Sequence, residues 1–339
     1  MGRRLFGAKC RRPSTRCWRR GRTSGLADSA RRRVVVTGAR SPLGRRLLDA
    51  LHKRSEVEFV RGLEARPARR GSEEPDLDIV PFSPDHRPFV EYLARESIDT
   101  VIQIGLAPDR TGFASSVSEA DVIGTMSLGA AIGSQGGSVR CWVVASSSAV
   151  YPIASNSPRV ASESLKIHTE QDSFAASILE AEDYARDMAD RATHINVSIL
   201  RLQQLVGKGV EGHLASLLER DRIPSAIGFD ASIQLLHVED AARALAFASM
   251  NELAGVFNVA SGGLTHWAAV LDRCGGRPAP VLPMAAAGLE PILDRLGVPF
   301  LPAALVDLLR HGLVIDLRKI EKAGWKPRHD QASCLEDYG

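Results

Sequence analysis

Arg33-Val34-Val35-Val36-Thr37-Gly38-Ala39-Arg40-Ser41-Pro42-Leu43-Gly44 is the stretch on which the reading of this chain turns. The β-branched run before Gly38 predicts a short strand buried on both faces. Leucines at 43, 47, 48 and 51 form the apolar stripe of a helix, with Ser41 as its N-cap and Pro42 at its first position. Strand, tight turn and helix thus follow one another within about a dozen residues. That order puts backbone N–H groups and the positive end of the helix dipole where a pyrophosphate would sit. A turn of this kind also serves as a plain strand-to-helix connection, so the flanking sequence has to decide.

Val57-Glu58-Phe59-Val60-Arg61-Gly62-Leu63-Glu64 is a second strand, ending in an acid twenty residues after Gly44. Glu64 fits the carboxylate that hydrogen-bonds adenosine ribose hydroxyls and favours NAD; the competing reading is a solvated strand end. Arg40, Arg61 and Arg66 keep the 2′-phosphorylated cofactor NADP open. Two further buried strands are Ile98–Ala107, with Gly105 and Leu106 at its exit, and Cys141–Tyr151. The Thr37–Gly44 segment resembles the TGxxGxxG fingerprint of the extended short-chain dehydrogenase/reductase family, the NAD-dependent epimerase/dehydratases, with Ser41 in place of the middle glycine. Other segments resemble that family in order: Asp99–Ala107 with Gln103 for a histidine, Ile123-Gly124-Thr125 with Asp121 for an asparagine, and Val150-Tyr151 with Pro152 for a glycine. Asn196–Leu202, Gln234–Asp240, Phe257–Ala260 and Asp316–Pro327 continue the match to about residue 330. Ile79-Val80-Pro81-Phe82 lacks the family's adenine-side aspartate, and Ile233 replaces the arginine that clamps a nucleotide-sugar diphosphate.

The resemblance implies an α/β protein, a Rossmann-type doubly wound parallel sheet with a small C-terminal substrate domain. Residues 1–32 are then a basic arm expected to be disordered and 33–205 the dinucleotide-binding core. Residues 206–339 are mainly the substrate cap, with segments returning to the core and Pro- and Ala-rich residues 275–303 as short lid helices. The implied cofactor is NAD, held by Gly38, Arg40, Ser41, Pro42, Leu43, Gly44, Glu64, Gly105 and Leu106. The family carries a tyrosine and a lysine four residues apart on one helix face, with a serine at the preceding strand end. Ser147 aligns with that serine, Ser146 and Ser148 being its near alternatives. Phe174 and Ile178 stand at the tyrosine and lysine positions. Phenylalanine has no transferable proton and isoleucine no charge, so this pair cannot perform the family's redox step and reads as the lining of an apolar pocket. Tyr184 lies ten residues beyond Phe174 and makes no dyad, while Lys166 sits upstream in a loop. Arg201 reads as structural, and His237 as a satisfied imidazole rather than a base.

Hydrophobic residues make up 44% of the 339, charged residues 24% and aromatics 5%, which suffices for a substantial core and excludes a disordered, collagen-like or coiled-coil chain. No apolar run of the length a membrane span needs occurs. Cys10, Cys17, Cys141, Cys274 and Cys334 are odd in number and widely spaced, which argues for a reducing compartment and against a disulfide framework or structural zinc. The net charge of +3 conceals an arm of +11, eleven arginines and Lys9 against Asp28 within residues 1–33, so the remainder is −8. A solvated start leads the readings of that arm, ahead of an organelle transit segment and a polyanion-binding arm. The expected location is the cytoplasm. The expected function is that of an NAD(P)-binding epimerase/dehydratase-like protein without Tyr/Lys catalysis, a cofactor-responsive binding or regulatory protein for an unassigned small molecule. The rivals are an enzyme using another group, Ser147 or His237, and a scaffold with an empty cleft. Family analogy further implies a homodimer built from helices near 118–133 and 172–191.

Overall fold

A computed structural model of the chain describes residues 31–64, 79–81, 86–106, 119–134, 137–168, 174–210, 212–281 and 303–338. The basic arm up to residue 30, Arg66, Phe82 and residues 282–302 of the expected lid lie outside the described residues. Seven strands form one parallel sheet: β1 (Arg32–Thr37), β2 (Val57–Glu64), β3 (Ile79–Pro81), β4 (Thr100–Gln103), β5 (Cys141–Ser147), β6 (Asn196–Leu202) and β11 (Gly255–Val259). Their spatial order is β11-β6-β5-β4-β1-β2-β3, and every adjacent pair is parallel. The order reverses between β1 and β4, and the crevice beyond the carboxyl ends of these two strands is where such sheets bind ligands.

The apolar strands supply two cores because successive side chains point to opposite faces. Val34 and Val36 join one cluster with Leu43, Leu47, Leu48 and Leu51 of α1 (Pro42–His52) and with α6 (Val238–Met250). Val35, Trp142 and Val144 join the other, with Leu128 and Ile132 of α3 (Glu119–Ile132) and Ile178, Ala181 and Ala185 of α4 (Phe174–Arg191). Helix α2 (His86–Arg95) completes that second layer through Phe89 and Leu93. Gly129 lets α3 approach: a Cβ there would lie 2.6 Å from Tyr184 of α4 and 2.9 Å from Trp142. Tyr184 is therefore a packing residue between two helices.

The small domain uses short pieces. β7 (Leu205–Val206) pairs with β10 (Leu236–His237), and β9 (Ser232–Ile233) with β12 (Thr265–His266). β8 (Arg222–Ala226) pairs in parallel with β13 (Arg277–Val281). The start of the expected helical lid is thus a strand, because alternating side chains of Arg277-Pro278-Ala279-Pro280-Val281 put Ala279 and Val281 inside and leave Arg277, Pro278 and Pro280 outside. Helices α5 (His213–Leu218), α7 (Trp267–Arg273) and α8 (Ala303–His311) pack around these pieces. The chain then returns to the main sheet: α9 (Arg318–Lys322) packs on β11, and Ile320 and Trp325 enter the α1/α6 core.

Candidate functional site

The β1–α1 turn is built as a phosphate-type turn. Gly38 has φ +74°, a conformation that side chains with a Cβ avoid. A Cβ on Gly44 would stand 2.6 Å from the Gly38 carbonyl oxygen and 2.8 Å from Ala39, so α1 approaches its own turn as closely as backbone allows. The end of β2 clamps the turn. Gly38 N donates to Leu63 O at 3.0 Å and Arg40 N to the buried Glu64 carboxylate at 3.2 Å. Glu64 therefore sits at the turn itself and is not a solvated strand end. Ser41 caps α1, its Oγ accepting from Gly44 N at 3.0 Å, with Pro42 following at the first helical position.

This cap bears on an anion. Two of the first amides of α1 are withheld from it, since Pro42 has no N–H and that of Gly44 is engaged by Ser41. The switch point, the positive-φ glycine, the close helix approach and the placement of Glu64 fit a dinucleotide; the donor set for its pyrophosphate is thinner than a glycine at 41 would leave. On the β4 side Gly105 comes two residues after the strand, whereas the Leu106 side chain is wholly buried, so Leu106 offers a ligand only backbone. The side chains of Leu43 and Ile104 are likewise core. Gln103 Nε2 donates to Thr125 Oγ1 at 2.6 Å, tying β4 to α3.

At the end of β5 the three serines have separate partners. Ser146 Oγ donates to Glu182 at 2.6 Å and Ser148 Oγ to Gln203 at 2.6 Å. Ser147 Oγ accepts from Ala149 N at 3.1 Å, capping the short 3-10 turn Ser148–Val150, and its own proton is given to none of the described residues. Helix α4 begins at Phe174, and one turn later Ile178 is fully buried in the sheet-side core. Lys166 is exposed on the loop segment 162–168. Tyr151 is occupied: its hydroxyl donates to Asn258 Oδ1 at 2.7 Å and accepts from Arg201 Nη1 at 3.0 Å, and burial pushes its pKa up. None of these supplies a charged partner for Ser147.

Arg201 is far more heavily committed than its own segment of sequence implies. Its guanidinium is held by Glu182 through Nε and Nη2, the latter at 2.6 Å, and lies over the Tyr151 ring at 5.0 Å. Burial alone would depress its pKa, but the bonds to Glu182 and that carboxylate's charge more than offset this and raise it, so it stays charged. An arginine alternating with Ile199 and Val197 on the core face of β6 was the available signal, since a charge at such a position requires a buried counter-charge.

His237 is not alone. It ends β10, caps α6 by accepting from Glu239 N on Nδ1, and stacks on His329 with ring centroids 3.8 Å apart. With Glu239 these are the one group of candidate metal ligands among the described residues. Their rings lie only 21° from parallel, so their in-plane lone pairs do not converge on one ion. The pair instead docks the C-terminal segment, where Asp240 accepts from the amides of Arg328 and His329 and Tyr338 bonds Gly207. Burial, then the charge of His329, holds the His237 pKa below its ordinary 6.5, against the opposing pull of Glu239, Asp240 and Asp337. Below pH 6.5 the unfolded chain takes up a proton that folded His237 refuses, so its contribution is complete above 6.5 and declines as pH falls. Comparing urea midpoints of wild type and His237→Gln between pH 8 and 5 should show a smaller decline in the variant; parallel curves would remove His237 from this role.

Comparison with known proteins follows the same lines. Residues 34–260 match the profile of the NAD dependent epimerase/dehydratase family. The uncharacterized protein Rv0501 of Mycobacterium tuberculosis is 30% identical over 256 residues, which span 74% of this chain and 68% of that protein. Among solved structures, the UDP-glucose 4-epimerase of Thermus thermophilus, in complex with NAD, superposes with a TM-score of 0.69 at 18% identity over 90% of this chain and 97% of that one. The dTDP-glucose 4,6-dehydratase of Bacillus anthracis, also in complex with NAD, gives 0.67 at 13% identity over 91% and 95%. At these identities the structural likeness speaks for the fold.

Proposed function

The chain belongs to the NAD dependent epimerase/dehydratase family, and from that premise we propose that it binds a nicotinamide dinucleotide at the β1–α1 turn without carrying out Tyr/Lys redox catalysis. In this reading it is a cofactor-responsive binding or regulatory protein. The observation that carries it is α4, which opens on Phe174 and buries Ile178 where the family's resemblance expects tyrosine and lysine. NAD, when bound, supplies a hydride acceptor. The chain's own part is to hold the pyrophosphate at the first turn of α1, with Gly38, Arg40, Ser41, Pro42, Leu43 and Gly44, and the ribose beside Glu64. Gly105 and Leu106 contribute backbone across the switch point. Ser147 has a proton to donate to a ligand oxygen, yet none of the described residues takes that proton from it.

Titration of nucleotide-stripped protein with NAD, NADH, NADP and NADPH tests the binding half, with micromolar affinity for at least one expected. Hydride transfer tests the other half. The wild type should show none with nucleotide-sugar substrates, whereas Phe174→Tyr with Ile178→Lys should gain it while melting at a lower temperature, because Ile178 is fully buried. Steady wild-type turnover would overturn the non-catalytic reading in favour of an enzyme working through Ser147 or another group. Binding to none of the four would leave a scaffold.

The same reading includes a homodimer through α3 and α4. Its support is Ile123, 53% exposed on a helix with no charged residue from Val122 to Ile132. A strictly monomeric mass by sedimentation at micromolar concentration would remove it. No helix among the described residues is long and apolar enough to cross a membrane.

A further inference from the structure

A cavity lies away from the β1–β4 crevice, with no residue of β1, β4 or α1 in its lining. It has a volume of about 860 Å³ and opens between α4, the edge strand β11 and α9. That size is within the range of small-molecule sites, about 300 to 1,000 Å³. One side is segment 162–168, which opens on a turn closed by Leu165 N donating to Ser162 O; Glu163, Leu165 and Ile167 are half-buried along the cavity, Ser164 is exposed at its rim, and Lys166 and His168 face water. The other is the face of α4 formed by Leu179, Asp183 and Arg186, spaced i, i+4, i+7. Arg201 lies at its floor, and Arg318, Lys319 and Lys322 line the α9 side.

The charge accounting separates this cavity from an ordinary polar groove. Two of its three acids are ion-paired, Asp183 with Arg186 at 2.6 Å and Asp316 with Arg318, while Glu163 accepts from the amide of Asn258 at 2.9 Å and keeps its charge, against five cations in the lining. Arg201 and Arg186 share Glu182 beneath. Lys319 and Lys322 have no carboxylate within ion-pair distance among the described residues. Lys319 donates instead to Val256 O and rests over the Phe257 ring at 4.6 Å. Burial lowers the Lys319 pKa; the charge of Glu163 opposes this, and those of Arg201 and Arg186 add to it.

We infer that this cleft is a binding site for a small organic oxyanion, a phosphate- or carboxylate-bearing metabolite. Its anionic group meets Lys319, Lys322 and the outward N–H groups of Arg186, and its apolar part lies on Leu165, Leu179 and Val256. The site is independent of dinucleotide binding, and it sits on the helix that carries Phe174 and Ile178, so its occupant would brace α4 from the side opposite the core.

Hydrogen–deuterium exchange of the full chain, with inorganic phosphate and with citrate as separate probes, locates the binding. Protection is expected at 162–168 and 316–323, titrating with the probe and weakening with added sodium chloride. The stronger of the two probes tells phosphate from carboxylate. Lys322→Glu, an exposed position without a hydrogen-bond partner among the described residues, should weaken that protection by about tenfold in probe concentration while leaving NAD affinity unchanged. Lys319→Gln should weaken it to a smaller extent. Protection confined to 37–47, protection that Lys322→Glu does not alter, or no protection with either probe would each overturn the inference.

Discussion

Glu182→Ala should lose about 3 to 5 kcal/mol of unfolding free energy, the range for removing one partner of a buried ion pair. Glu182 is 0% exposed and Arg201 2%, so both charges are desolvated where they meet. The carboxylate accepts from Arg201 Nε and Nη2, from Ser146 Oγ, and from Arg186 at 2.7 Å. Truncation leaves the guanidinium of Arg201 desolvated, with Tyr151 its one hydrogen-bonded partner among the described residues, and also strips Ser146 of its acceptor. Arg186, at the surface end, is partly exposed and adds less. Urea denaturation measures the loss. Glu182→Gln should lie between wild type and Glu182→Ala, because it keeps an acceptor and loses the charge. Removing both charges, Arg201→Met with Glu182→Leu, should recover much of the loss, since the larger penalty comes from the stranded charge. A loss under about 1 kcal/mol in Glu182→Ala would show that water reaches Arg201 after all.

That network also marks where reading the sequence stops. The strands were legible because Val34–Val36, Val143–Val144 and Ile199–Leu200 are apolar runs that a sheet buried on both faces accommodates. The α1 cap was legible because Ser41-Pro42 is a local signal, complete within one turn. The partner of Arg201 was not, because Glu182 comes nineteen residues earlier on another element and only the packing of α4 on β6 joins them. The stacking of His237 on His329 is longer-range still, ninety-two residues apart, so His237 read alone was a lone imidazole. The oxyanion cleft gathers residues from 162 to 322, each unremarkable in its own segment. Phe174 and Ile178 are the reverse case. Their meaning was legible through alignment to a motif, while their placement required α4 to begin where it does.

The β1–α1 turn gives the second large effect, because two substitutions three residues apart should move cofactor affinity in opposite directions. Gly44→Ala puts a methyl 2.6 Å from the Gly38 carbonyl oxygen, and what it meets is backbone, which cannot rotate aside. Alanine's better helix propensity gains about 1 kcal/mol, but overpacking of this kind costs about 1 to 3, so a net destabilisation is expected. The larger effect is on NAD, since α1 must back away from the turn and carry its amides off the pyrophosphate; calorimetry should show affinity reduced tenfold or more. Ser41→Gly does the opposite. It removes the hydroxyl that accepts from Gly44 N, returning that amide to the ligand, at a loss of only a few tenths of a kcal/mol for the cap. NAD should then bind several-fold more tightly. If both variants bind NAD as the wild type does, the dinucleotide does not rest on the first turn of α1, and the crevice between β1 and β4 is the wrong place to look for it.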